Sequence, residues 1–313
     1  MNKEISIEEL AAFCRKKGFV YQNSEIYGGL SGFFDYGPLG VELKNNIKNE
    51  FWKAFVTSRE DVVGIDGAIL AKSDVWKASG HVDSFVDITL KCKKCKEIIR
   101  GDNLIEDKLG IAADGISLEE VSTIIKKHKI NCPKCNGKLE TTNSFNLMFK
   151  TNIGPIEDSN FSYLRPETAQ LIFTNFKAVQ ENSRLNLPFG IAQIGKAFRN
   201  EISPRDFLFR LREFEQFEIE YFINPRVAKS CTQFKDVQAL KVNILTAKAQ
   251  KKEGKHETYS IKQLVEKNII KERWQAYWIS LFYKWFLEHG INPKHLRIRG
   301  HLKEELAHYA NAC

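Results

Sequence analysis

An α+β fold is predicted: a sheet-forming core flanked by helices and interrupted by two insertions. Three observations predict it. Residues 145–223 alternate as strands of a large sheet do, capped amphipathic helices come before them, and the composition turns Lys-rich twice, at 91–138 and 225–297.

Each element follows from its residues. Ser6 with Glu9 forms a capping box and Gly18 supplies a stop, so 6–18 reads as a helix. The turn GGLSGFFDYGPLG (28–40) follows, with Pro38 placed to begin a second helix. There Leu39, Leu43, Ile47, Phe51 and Phe55 recur every fourth residue, with Trp52 and Val56 beside them. Such a stripe must be buried, in the core or against a second subunit. Residues 62–90 read as strands with turns, SGHVDSF (79–85) among them. Within 91–138, Ser117 and Glu120 open a capped helix that ends in KKHK, cations suited to a helix C-terminus. Residues 225–297 read as helical, with Trp274, Tyr277, Trp278, Leu281, Phe282 and Trp285 facing a core and Gly290 and Pro293 closing the stripe. AKAQKKEGKH (247–256) reads as a solvated basic loop. The expected organisation is a first part of the core at 1–90, a cysteine insertion at 91–144, core again at 145–224, a helical insertion at 225–297 and a return to the core at 298–313.

The composition, 43% hydrophobic and 27% charged with 22 Phe, suits a globular enzyme and excludes a disordered chain. No run approaches the ~18 apolar residues of a membrane span. The opening MNKEISIEEL is charged where a signal peptide is apolar, so a cytoplasmic location without a membrane partner is expected. The net charge of +8 favours polyanionic partners, nucleic acid or nucleotides, without requiring them.

Four of the seven cysteines fall in two knuckles, CKKC (92–95) and CPKC (132–135), 36 residues apart. Each CxxC brings two sulfurs to one ion, so Cys92, Cys95, Cys132 and Cys135 are the predicted ligands of a structural zinc, a closed shell with no place for water. Cys14, Cys231 and Cys313 read as incidental thiols.

The stretch IAQIGKAFRNEISPRDFLFRLREFEQFEIEYF (191–222) is the most informative. At period two, Gln193, Gly195, Ala197, Arg199 and Glu201 share one face of a strand; Phe214, Gln216, Glu218, Glu220 and Phe222 share one face of the next. Charges beside very small residues suggest a ligand face: Arg199 for a phosphate, carboxylates for an ammonium or an exocyclic amine. The intervening loop carries Arg205, Arg210 and Arg212, placed to close over a polyphosphate. In YLRPETAQ (163–170), Pro166 sets up a helix start with Glu167 and Thr168 in its first turn.

FRNEISPR, RLREFEQFEIEYF, LRPETAQ and FNLMFKTNIGP together resemble glycyl-tRNA synthetases of the homodimeric class II type. The resemblance also takes in YGPLG, SGHVDSF, the cysteine knuckles and HLKEELAHYA (301–310). The strand, loop and returning strand look like that class's motif 2. The resemblance implies an antiparallel sheet flanked by helices, with the zinc-ribbon-like and helical insertions attached. It implies that Arg199 holds the ATP α-phosphate and, with Glu201, is catalytic. Glu201, Arg210 and Arg212 would hold the rest of the nucleotide, Asn200, Phe209, Leu211 and Glu213 would complete that site, and Phe214 would stack on adenine. Glu167 and Glu218 would hold the glycine ammonium, with Glu215, Gln216 and Phe217 beside them and Arg100 reaching toward the substrate. It implies ATP with Mg²⁺, tRNA(Gly) as partner, and a homodimer with 39–56 at the interface. The glycine carboxylate would attack the α-phosphorus, and the terminal tRNA ribose hydroxyl would then attack the adenylate, with no protein general base. Members of the family continue into motif 3 and an anticodon-binding domain. The 313 residues are accordingly expected to be an N-terminal part of such an enzyme, folded but catalytically crippled. They carry Leu171 where the family has glycine after RPETAQ. Two other classes stay open: a non-catalytic RNA-binding derivative, and an adenylate-forming enzyme for another small amino acid. No GxxxxGK[ST] or hydrolase arrangement is present.

Overall fold

The computed structural model describes residues 5–111, 113, 116–155, 160–202, 204, 207–250, 254–303, 306 and 310. Arg205, Cys313 and part of 301–310 lie outside them. The chain divides into two compact units, Met1–Phe222 and Ile223–Cys313.

The first unit opens with α1 (Ile7–Lys16) behind the expected box: Ser6 Oγ accepts from the Glu9 N–H and the Glu9 carboxylate from the Ser6 N–H, each at 3.1 Å. A ribbon of β1 (Val20–Gln22) and β2 (Phe34–Tyr36) leads to α2 (Pro38–Trp52), which runs on as a π-helical turn, Lys53–Thr57. A side chain at Gly40 would overlap the Phe19 carbonyl, so only glycine lets this helix start so close to the ribbon. The α2 stripe is divided. Phe51 and Phe55 are 2% and 3% exposed, and Phe51 stacks on Phe217 at 4.5 Å. Leu39, Leu43 and Ile47 stay 51%, 50% and 39% exposed, so the first half of the stripe is not covered by this chain's described residues.

Residues 62–90 are not all strand. β3 (Val62–Gly64) and β4 (Leu70–Ala71) are followed by two short helices, α3 (Ser73–Ala78) and α4 (His81–Ser84), before β5 (Val86–Cys92). Trp76, fully buried, anchors α3, and Gly80 at φ +79° turns the chain between the two helices. Helices of six and four residues are too short to show a 3.6-residue period.

The cysteine insertion is a small α/β layer. β6 (Ile98–Arg100), α5 (Gly101–Leu109), α6 (Leu118–Lys127) and β7 (Leu139–Asn146) build it with β5, in the antiparallel sheet order β6-β5-β7. Leu90, Leu104, Ile105, Val121 and Ile125 form its core. The capping box predicted at Ser117 and Glu120 is present; α5 was not predicted, since GDNLIEDKLG has weak helix signals.

β9 (Phe161–Leu164) pairs with β4 on one side and β8 (Lys150–Asn152) on the other, and α7 (Ala169–Asn182) then leads to β10 (Phe189–Phe198) and β11 (Glu213–Phe222). The large sheet expected over 145–223 is therefore split by a helix. The strand pair belongs to a three-stranded sheet in the order β11-β10-β3. β10 and β11 are antiparallel, whereas β3, which arrives from far upstream, runs parallel to β10.

The second unit was expected to be helical and instead contains a sheet. β12 (Lys241–Leu245), α8 (Ala247–Gln250), β13 (Glu257–Ser260), α9 (Ile261–Glu266), α10 (Arg273–Glu288) and β14 (Ile298–Arg299) succeed one another, with strand order β13-β12-β14. Part of 247–256 is thus helical and not loop. α10 buries Trp274, Tyr277 and Trp285 as predicted, while the alternation in KVNIL lies between Lys-rich neighbours that hid it. Charge divides with the units. Seventeen of the 47 Lys and Arg and eight of the 39 Asp and Glu follow Phe222, leaving net +9 on the last 91 residues and −1 on the first 222.

Candidate active site

The β10–β11 register brings together the face read from the sequence. Gln193 lies opposite Glu218, Gly195 opposite Gln216 and Ala197 opposite Phe214. The space over Gly195 is filled by protein: a side chain there would collide with the Arg165 guanidinium. Arg165, 2% exposed, donates from Nε to the Lys196 carbonyl (2.6 Å) and from Nη1 to the Gly67 carbonyl (2.6 Å). With its amide oriented to suit both donors, Gln193 Oε1 accepts from Arg165 Nη1 (2.7 Å) and from the Gly67 N–H (3.1 Å). Arg165 is thus a brace between β10 and the 66–68 segment.

Glu167 and Thr168 precede α7 and do not form its first turn, because Thr168 is the cap residue. The Thr168 N–H donates to Glu218 Oε2 at 2.8 Å and its hydroxyl donates to the same oxygen. Glu167 Oε1 accepts from Gln170 Nε2 (2.5 Å) and lies 3.5 Å from His81 Nε2. Burial works to raise the Glu167 carboxyl, but hydrogen bonds from His81 and Gln170, with Arg199 nearby, hold it below its usual value. Arg199 donates from Nε to the Pro166 carbonyl (3.1 Å), and its guanidinium carbon stands 5.5 Å from the Phe85 ring centre and 5.4 Å from that of Phe214. Leu171 is buried against the backbone of Gly67, where an added Cβ would meet its Cδ1 at 2.7 Å; the leucine packs α7 onto that segment.

Of the loop arginines, Arg210 meets a carboxylate and Arg212 backbone carbonyls. Glu201 Oε2 accepts from Arg210 Nε (2.9 Å) and Nη2 (2.7 Å), and Arg212 donates to the carbonyls of Glu201 (2.9 Å) and Ser31 (2.8 Å). Arg100 binds Asp102 (2.7 Å), pairs with Asp87 (3.3 Å) and reaches to 3.9 Å from Glu201. Burial pushes the Asp87 carboxyl up to about 6 against the pull of Arg100. The Asn200 N–H is held by the Leu147 carbonyl (2.7 Å); Leu211 is half-buried and Phe209 is exposed.

Three of the residues proposed from sequence face away. Glu213 pairs with Lys196, Glu215 with Lys44 (3.1 Å) and Lys48 (3.0 Å) of α2, and Phe217 stacks on Phe51. The strand period puts their side chains on the face opposite Phe214, Gln216 and Glu218, leaving only their backbone to a ligand on that side.

One residue was missed, and another was placed on the ligand face without a role. His81 lies in SGHVDSF, a phrase quoted without a role for any of its residues. Glu220 follows Glu218 on the same face; burial, then the neighbouring Glu218 and Glu167, push its carboxyl up to about 7. Between the usual carboxylate value and 7 the folded chain keeps a proton that the unfolded chain releases, so stability is expected to fall as pH rises through that window. Glu220→Gln is expected to raise stability at pH 8 by about 3 kcal/mol at most and to change little at pH 4. Urea midpoints at the two pH values check this.

The four knuckle sulfurs lie within 4.8 Å of one another, with Cys92–Cys135 at 3.4 Å and Cys95–Cys132 at 3.7 Å. Ligands about 2.3 Å from one tetrahedral ion stand about 3.8 Å apart, so the cluster fits a metal of that radius. The Cys95 N–H points at Cys92 Sγ and, with that of Lys94, holds this thiol below its usual value, while burial and the neighbouring sulfurs push the Cys95 thiol up. Each knuckle turns through a left-handed residue, Lys96 and Asn136. A Cβ on Gly137 would sit 2.9 Å from Cys92 Sγ, so glycine keeps the shell clear.

No helix of the described residues is long and apolar enough to cross a membrane. Residues 149–297 match the family described as tRNA synthetase class II core domain (G, H, P, S and T). Over those residues the chain is similar to the class II aminoacyl-tRNA synthetases. Within them its relatives are glycine–tRNA ligases: that of Caldanaerobacter subterraneus is 44% identical over all of this chain and 60% of its own length. That of Geobacillus thermodenitrificans is 45% identical over 98% of this chain and 58% of its own. That of Methanocaldococcus jannaschii is 43% identical over all of this chain and 54% of its own. The chain thus spans between half and two thirds of the length of these relatives.

Proposed function

We propose that the chain is the part of a glycine–tRNA ligase that binds glycine and ATP for adenylate formation, the acyl group then passing to the 3′ end of tRNA(Gly). One observation carries the reading: Glu167 and Glu218 flank Thr168 while Arg199 stands beside Glu167 between two rings. The two carboxylates suit an ammonium, and the arginine suits the α-phosphate on which charge builds as the glycine carboxylate attacks. Phe214 offers adenine its ring. Arg100 and Arg210 would exchange Asp102 and Glu201 for phosphate oxygens. Mg²⁺ would accompany ATP and neutralise phosphate charge. Cys92, Cys95, Cys132 and Cys135 would hold a structural Zn²⁺, and a cytoplasmic location fits the reading.

The test is calorimetric binding of a glycyl-sulfamoyl-adenosine, a non-hydrolysable adenylate analogue, beside its alanyl counterpart. Preference for glycyl by about 10-fold or more is expected if the pocket excludes a methyl group. Equal affinity would point to another small amino acid. No binding by a folded chain would sink the reading and favour an RNA-binding derivative, for which the net +9 of the second unit speaks.

The uncovered Leu39, Leu43 and Ile47 support a homodimer through α2. Leu43→Glu is expected to shift the sedimentation coefficient to that of a monomer while leaving the circular dichroism unchanged; an unaltered dimer would place the interface elsewhere.

A further inference from the structure

His81 is held by Asn146, Trp76, Phe85 and Ser79 and faces one group of the candidate site, Glu167. Asn146 Nδ2 donates to the His81 carbonyl (3.1 Å) and the Val82 carbonyl (2.8 Å), which fixes the short helix carrying the histidine. The imidazole lies edge-on to the buried Trp76 ring, 5.9 Å between centres, and 5.4 Å from that of Phe85, the ring that also faces Arg199. Its two nitrogens meet different partners: Nδ1 is 2.9 Å from Ser79 Oγ, and Nε2 is 3.5 Å from Glu167 Oε1.

The chemistry of the partners decides the tautomer. A carboxylate accepts only, so the Nε2 contact is attractive only when Nε2 carries a proton. In a neutral imidazole that leaves Nδ1 as an acceptor, and the Ser79 hydroxyl is the donor within reach. The same hydroxyl has one alternative, the Trp76 carbonyl at 3.3 Å. Giving its proton there would turn Ser79 into an acceptor and strip Nε2 in the neutral ring. Glu167 therefore selects the Nε2–H form of His81, and the Ser79 hydroxyl, turned toward Nδ1, supports it. Gln170 donates to the same Oε1, so both contacts fall on one oxygen, and no hydrogen bond among the described residues engages Oε2.

We infer that His81 is a positioning residue for the amino-acid ammonium: held in its Nε2–H form between the Glu167 carboxylate and the Ser79 hydroxyl, it orients Glu167 so that one carboxylate oxygen is engaged and the other is presented. The inference rests on the glycine reading above and goes further, assigning work to SGHVDSF. It requires an effect confined to ligands that carry the ammonium.

Two measurements test it on the whole chain. The first is the affinity for glycyl-sulfamoyl-adenosine and for the acetyl counterpart that lacks the amine. His81→Phe, which keeps a ring between Trp76 and Phe85, is expected to weaken the glycyl analogue by about 10-fold or more, the effect of losing a hydrogen bond to a charged group, and the acetyl analogue by less than about twofold. His81→Gln, which can still offer an N–H, should recover most of the loss. Equal weakening of both analogues, or none, overturns the inference, since a merely structural role would not distinguish them. The second is the imidazole ¹⁵N spectrum of the unliganded chain. Glu167→Gln should move the Nε2 signal and Ser79→Ala the Nδ1 signal; if neither moves, the inference falls whatever the chain binds. If both move but the wild-type chain binds neither analogue, the glycine reading is what has failed, and the ammonium role of His81 is overturned with it.

Discussion

Arg199→Ala is expected to weaken binding of the glycyl-adenylate analogue by about 100-fold or more, the range for truncating one partner of a desolvated charge pair. Arg199 is tied to the Pro166 carbonyl and lies between Phe85 and Phe214, so its guanidinium is aimed before any ligand arrives. Lysine keeps the charge but loses the planar fork and the stacking, so Arg199→Lys should recover only a small part. Calorimetry on the three chains checks this. Wild-type affinity in the alanine variant would mean that the phosphate is bound elsewhere.

Removing the metal expected in the knuckles should have the other large effect. Structural zinc sites contribute apparent binding energies of about 10 kcal/mol or more, which become folding energy where the site exists only in the folded chain. The insertion core of Leu90, Leu104, Ile105, Val121 and Ile125 is small and depends on β5 and β7 being clamped at Cys92 and near Cys135. Native mass spectrometry should find one zinc per chain. A chelator, or Cys132→Ser, should bring unfolding of this layer well below that of the rest of the first unit. Arg100 caps α5 five residues after Cys95 and pairs with Asp87, so metal loss should also weaken the adenylate analogue. An identical thermal profile with and without chelator would dismiss the metal.

The shared faces of the strand pair were legible because period-two alternation is a local property: Gln193, Gly195 and Ala197 on one strand and Glu218, Gln216 and Phe214 on the other follow from counting by twos. The capping boxes at Ser6 and Ser117 were legible for the same reason. What failed depended on distant partners. Gly195 reads as room for a ligand until Arg165 is seen to occupy the space. Glu215 and Phe217 look like site residues until α2 is found against their side of the sheet. His81 has no local signal, since its meaning comes from Glu167, 86 residues later. The sheet of the second unit was hidden by lysines that mask a short apolar alternation.

The division of charge between the units has one more consequence. In the field of a polyanion the first 222 residues, at net −1, experience almost no net force, while the last 91, at +9, are drawn in. First encounters with such a partner are then governed by a third of the chain that carries neither the Arg199 strand nor the cysteine cluster. Raising the ionic strength should slow capture without touching the pocket, so the rate of arrival and the affinity for glycyl-adenylate can be tuned apart.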